Sequence, residues 1–132
     1  MKISDIPFVN HLKIGEDSCL ENNPQLQNHL QSLHAGAIYT LAETASGMQL
    51  LKTFPHLQNE VITLLRESNI KYKSPAYSKI KANAYIEQSD KEIFYQKLLQ
   101  KRFSMIRIKV NVEDQEKQTI AIATFTWFVS YK

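Results

Sequence analysis

The chain has 132 residues, enough for one domain spanning 1–132 with a core that needs no disulfide or metal staple. Its single cysteine, Cys19, excludes an intrachain disulfide, the start Met1-Lys2-Ile3-Ser4-Asp5 lacks the apolar stretch of a secretory signal, and no run is long enough to span a bilayer. The expectation is a soluble cytoplasmic protein without membrane insertion. The net charge of +3 conceals a basic middle, since residues 66–109 carry eleven Lys and Arg against four Asp and Glu; that suits a polyanion, either nucleic acid or a phosphorylated cofactor, or a solvated lysine-rich sheet face.

In chain order, Leu12 to Leu20 reads as a first strand weakened by Gly15 and its acids, followed by a turn at Asn22-Asn23-Pro24. Helix signals begin near Leu33-His34 and run to about Thr53, where Phe54-Pro55 stops them because the residue before proline avoids the α region. The period then shortens to two residues. Val61 to Tyr72 alternates with Ile62, Leu64, Ile70 and Tyr72 on one parity, and Ile80, Ala82, Ala84 and Ile86 share another face. Ser89-Asp90-Lys91-Glu92 resembles a capping box before a short amphipathic helix. Two long strands end the chain. One carries Ile106, Ile108, Val110 and Val112 on one face, the other Ala121, Ala123, Phe125, Trp127 and Val129, and the acidic turn 113–117 joins them as a hairpin. Strand, long helix, four strands and a small inserted helix predict an α+β domain in which an antiparallel sheet wraps one helix.

The long helix does not read as a surface helix. Ala37, Ile38, Leu41, Ala42, Ala45, Met48 and Leu51 spread around the wheel, the gaps are filled by small residues, and Glu43 is the only charge between His34 and Leu51. A carboxylate on an enclosed helix loses hydration, which raises its pKa and suits it to proton transfer. It is otherwise a structural acid paired with a Lys or Arg, or one facing a wet dimer seam. Gly36 and Gly47 lie on roughly the same side and leave room for a ligand or for close packing. The free N–H groups at the helix start can hold an oxyanion or a polarised carbonyl. Glu43 follows Gly36 by seven residues, about 10 Å along the axis. One helix cannot easily aim both at one carbonyl, whereas two antiparallel copies can, which favours a site shared across a two-fold dimer.

The stretch His34-Ala35-Gly36-Ala37-Ile38-Tyr39-Thr40-Leu41-Ala42-Glu43-Thr44-Ala45-Ser46-Gly47 resembles the helix signature of hotdog-fold acyl-CoA thioesterases of the phenylacetyl-CoA type. Asn28 stands six residues before His34, where an asparagine is common, and Tyr72-Lys73-Ser74-Pro75-Ala76 is similar to the strand end that follows. The resemblance implies a thioester hydrolase with the hotdog fold. Glu43 would act as general base or nucleophile, Gly36 would offer a backbone N–H to the thioester oxygen, Asn28 and His34 would position the thioester, and Thr44 would support the water or the acid. It also implies an acyl-CoA or acyl-carrier-protein thioester as substrate, coenzyme A present only as part of it, no separate cofactor and no metal, and a homodimer or a dimer of dimers (a homotetramer). Lys73, Lys79, Lys101 and Arg102 are the basic-middle candidates for the phosphates. Two departures stand out: Ala35 replaces the usual glycine, and Glu43 is one methylene longer than the commoner aspartate.

Other signals carry less. Nothing near Cys19 suggests an activated thiol, the histidines at 11, 29, 34 and 56 lack metal-ligand spacing, and neither a nucleophile elbow nor a Gly-rich phosphate loop is present. Tyrosines among lysines follow from alternating strand faces, so no nucleic-acid partner is expected. The alternative to hydrolysis is a non-catalytic acyl- or lipid-binding hotdog module in which Glu43 only orients ligand or buttresses the dimer.

Overall fold

The computed structural model describes all of residues 1–132. Its elements are α1 (Pro7–Leu12), β1 (Cys19–Leu20), α2 (Ala35–Thr53), β2 (Val61–Tyr72), β3 (Ile80–Tyr85), α3 (Gln88–Lys101), β4 (Phe103–Asp114) and β5 (Thr119–Tyr131), with single 3-10 turns at Ile3–Asp5, Pro24–Leu26 and Pro55–Leu57. The strands form one sheet in the order β1-β3-β4-β5-β2, antiparallel throughout. The sheet curves around α2, which touches β2, β3, β4 and β5.

Sequence explains this wrapping. The inward residues of β4 (Ser104, Ile106, Ile108, Val110, Val112) and of β5 (Ala121, Ala123, Phe125, Trp127, Val129) are all buried, as their alternation predicts. The helix meets them with a small-residue surface of Ala37, Ala42, Ala45, Ser46 and Gly47, which lets the sheet come close. A Cβ at Gly47 would sit 3.2 Å from Trp127 Cζ2, so glycine here permits the contact. No helix is long and apolar enough to cross a membrane.

Three expectations need correction. The first strand shrinks to Cys19–Leu20, because Pro7 starts a helix at its first turn and Lys13 and Ser18 take left-handed conformations that end extended structure between them. Helix α3 begins at Gln88 with Glu87 as its N-cap, so Ser89-Asp90-Lys91-Glu92 lies inside the helix and is not its capping box; no side-chain cap forms, and Glu87 instead pairs with Lys109 at 3.2 Å. In β2 the pairing register shifts between Leu65 and Glu67. A bulge there flips the parity. Val61, Thr63 and Leu65 face the helix before it, and Ser68, Ile70 and Tyr72 after it. Ile62 and Leu64, expected to share a face with Ile70 and Tyr72, lie on the outer face and are about half exposed. The far edge of β2 has no partner strand in this chain.

Candidate active site

The start of α2 and Glu43 open into two separate depressions that share no residue. The first, about 260 Å³, includes Asn28, Ser32, Ala35, Tyr72, Lys73 and Ser74. The second, about 120 Å³, includes Glu43, Thr44, Gly47, Leu51, Thr63 and Trp127.

At the helix start, His34 is the N-cap, with extended φ and ψ of −62° and 140°. Its Nδ1 accepts the Gly36 N–H at 2.8 Å. The N–H expected to meet the thioester oxygen is thus engaged within the chain, and with Nδ1 accepting, the neutral imidazole carries its proton on Nε2. The Ala37 and Ile38 N–H groups both go to the His34 carbonyl. The first helical N–H, on Ala35, makes no turn, loop or cap hydrogen bond, and Ala35 lines the cleft. Tyr72 Oη donates to the Ala35 carbonyl at 3.2 Å. The Ala35–Gly36 peptide is therefore held at both ends, by Tyr72 at its oxygen and by His34 at its nitrogen.

Asn28 braces the loop leading into the helix. Its Oδ1 accepts from Leu30 N at 2.9 Å and Ser32 N at 3.2 Å, and its Nδ2 donates to Ser32 Oγ at 2.9 Å. A primary amide has two donor hydrogens, so one remains beyond the Ser32 bond. Lys73 is part of the lining of this cleft. The other three basic candidates lie elsewhere. Lys79 pairs with Glu21 at 3.7 Å, and Lys101 and Arg102 stand at the end of α3, where Arg102 stacks 4.5 Å above the Tyr131 ring.

Eight residues beyond Ala35, Glu43 is half-buried and belongs to none of the three ion pairs. Desolvation alone raises its carboxyl pKa above the usual value, with no neighbouring cation lowering it. The paired structural acid considered from sequence is thereby replaced by an acid unpaired within its own chain. Thr44 commits its hydroxyl hydrogen to Thr40 O at 2.7 Å, leaving only acceptor capacity toward the cavity. One relay went unread in the sequence: Trp127 Nε1 donates to Ser46 Oγ at 2.8 Å, and Ser46 Oγ donates to Glu43 O at 2.7 Å. It ties the turn bearing the acid to β5. A serine three residues past the acid and a lone tryptophan in an inward strand position were the available signals.

The remaining nucleophile is quiet. Burial, then Asp17, push the Cys19 thiol up and disfavour its thiolate. No three His, Cys, Asp or Glu side chains gather into a metal-binding group.

A five-stranded antiparallel sheet wrapped around one long, small-faced helix is the hotdog fold. The chain belongs to the DUF4442 family, a domain of unknown function, whose model matches residues 6–129. Among solved structures it resembles a candidate thioesterase from Shewanella oneidensis (17% identity, TM-score 0.78, 98% of this chain and 91% of that one). It also resembles a protein of unknown function from Pseudomonas aeruginosa described as a probable thioesterase (18%, TM-score 0.73, 86% and 74%). A third is a Bacillus halodurans protein determined with CoA (24%, TM-score 0.65, 84% and 64%). At these identities the likeness is one of fold. No curated protein sequence matches the chain.

Proposed function

We propose that this chain is a cytoplasmic thioester hydrolase that cleaves an acyl-CoA or acyl-carrier-protein thioester, and that its site is completed by a second copy. The observation that carries the reading is Glu43: an unpaired, desolvated carboxylate on an enclosed helix, lining an apolar cavity. Fold likeness to a probable thioesterase and to a protein holding CoA supports the substrate class.

The separation of the two depressions supports the dimer. Ala35 and Glu43 are eight residues apart along the helix, about 12 Å, too far for one carbonyl to touch both. The open edge of β2 offers the means of joining them, since a long unpaired edge is a template for another strand. Antiparallel pairing about the middle of Val61–Tyr72 sets the Tyr72 end of one copy against the Val61 end of the other. Tyr72 bonds to Ala35 and Thr63 lines the Glu43 cavity. Each helix start thereby approaches the other copy's acid.

In the assembled site the Ala35 N–H, with the helix dipole behind it, holds the thioester oxygen, and the second amide hydrogen of Asn28 assists. Ala35 thus takes the donor role expected of Gly36. Across the dimer, the Glu43 carboxylate accepts a proton from water as the water oxygen attacks the acyl carbon. The C–S bond then breaks, and the thiolate takes the proton back from Glu43. A carboxylic acid and a free thiol leave, and every atom is supplied by thioester and water. Lys73, in the lining of the cleft, would meet the phosphate-bearing end of the leaving group.

The test is thiol release from a panel of acyl-CoAs and acyl-carrier proteins by wild type, Glu43→Gln and Cys19→Ser. Cys19→Ser should be unaffected and Glu43→Gln should lose at least a hundredfold in kcat, the usual scale for a positioned base. Equal activity of Glu43→Gln and wild type removes Glu43 from the mechanism. Tight ligand binding without turnover across the panel makes the protein a binding module instead.

A further inference from the structure

The cavity beside Glu43 has a shape that bears on the acyl group. Its walls come from four parts of the chain: Met48 and Leu51 on α2, Trp127 on β5, Thr63 on β2, and Met1, Ile6 and Val9 from the N-terminal segment. Only Glu43 and Thr44 bring polar side chains to the α2 wall, and Thr63 brings one from β2. The N-terminal wall is anchored rather than draped. Ile3, Val9 and Leu12 are core residues, and the Ile6 carbonyl accepts the Asn10 N–H at 3.0 Å. The opposite wall is fixed too, because the Trp127 indole is held by Ser46 and pressed against Gly47.

The volume sets a scale. An apolar cavity of about 150 Å³ takes up one benzene; this one offers about 120 Å³. On that scale it has room for an aliphatic tail of about three or four carbons beyond the carbonyl, not for an aromatic ring or a long fatty chain.

Resting on the hydrolase reading above, we infer that the substrate's acyl group is short and aliphatic, and that Ile6 of the N-terminal segment sets its upper length. The carbonyl carbon stands at Glu43, the thiol arm leaves toward the other copy's helix start, and the tail lies in the pocket against Ile6 and Val9. The basic middle of the chain serves the leaving group, whereas the first dozen residues choose the acid.

The experiment measures kcat/KM for acetyl-, butyryl-, isovaleryl-, hexanoyl-, octanoyl-, palmitoyl- and phenylacetyl-CoA with wild type, Ile6→Ala and Ile6→Phe. Ile6 is only half-buried, so both variants are expected to fold. Wild type should prefer butyryl- or isovaleryl-CoA. Ile6→Ala should raise the hexanoyl-to-butyryl ratio by roughly tenfold, the scale of one methylene's worth of discrimination, and Ile6→Phe should move the preference toward acetyl-CoA. A wild type that prefers octanoyl or longer chains, or ratios that both variants leave unchanged, overturns the inference. If no thioester is turned over, the hydrolase reading fails, and the pocket is judged by affinities for S-alkyl CoA thioethers from ethyl to octyl. A maximum near butyl or pentyl that Ile6→Ala moves upward sustains it, and affinity rising steadily to octyl overturns it.

Discussion

If each site joins one copy's helix start to the other's acid, two inactive variants should rescue each other when mixed. The acid is removed by Glu43→Gln. The donor is removed by Ala35→Pro, which deletes the one helix-start N–H that bonds nowhere in turn, loop or cap. Proline suits this position. Ala35 is the first residue of α2, where proline's fixed φ is favourable, and His34 before it already holds the φ and ψ of −62° and 140° that proline demands of its predecessor. In a dimer of one Ala35→Pro chain and one Glu43→Gln chain, one site gathers both lesions and the other gathers neither. Random re-pairing of equal amounts makes half the dimers mixed, so about a quarter of wild-type activity should return from two preparations that each have almost none. The assay is thiol release after co-refolding or co-expression, with circular dichroism confirming that each single variant is folded. No recovery above the sum of the parents, with mixed dimers demonstrably formed, would refute the shared site.

Removing the charge at Glu43 should cost activity and add stability. The folded pKa is raised by desolvation. The stability contributed by the neutral acid is therefore fully present below the ordinary carboxylate range and is lost as pH rises through the raised value. At neutral pH Glu43→Gln should melt higher than wild type, the gap should close on acidification, and wild-type turnover should fall as acid protonates the base. A melting gap that widens in acid contradicts the assignment. Ser46→Ala strands the buried Trp127 N–H, worth about 1–3 kcal/mol against about 0.5 kcal/mol regained in helix propensity, so a net loss of about 0.5–2.5 kcal/mol is expected in urea unfolding. A Trp127→Phe background should remove most of that cost; an unchanged cost would locate the effect elsewhere. Tyr72→Phe frees the Ala35 carbonyl and should lower kcat more than it raises KM, with little change in melting temperature. Lys73→Ala should raise KM for acyl-CoA at low salt and converge with wild type at high salt.

The parts of the fold legible in the sequence were those governed by one repeating rule. The bounds of α2 follow from an all-round apolar and small pattern closed by Phe54-Pro55, and β4 and β5 from unbroken alternation. α1 was missed because six residues carry too little period to oppose the apolar alternation beyond it. The outward turn of Ile62 and Leu64 was missed because the bulge near Arg66 has no glycine to mark it. At the site, Glu43 announced itself as a lone charge. The engagement of Gly36 by the His34 ring could not be seen, since a cap's direction depends on a side-chain torsion that sequence does not display. The same holds for the Tyr72 and Ser46 contacts, which join residues far apart in the chain.

The sheet order has a consequence for how the molecule comes to exist. β5, last in chain order, lies between β4 and β2. Until it emerges from the ribosome, β2 has no neighbour in its own chain and shows two bare edges, with Ile62 and Leu64 exposed beside them. β3 and β4 can pair early with α2 resting on them, but neither the Trp127–Ser46 tie nor the wall beside Glu43 can form before the final strand arrives. A chain interrupted before β5 is complete would be prone to pairing with its neighbours through β2. The strand that suits two finished copies to each other is also where unfinished copies would stick.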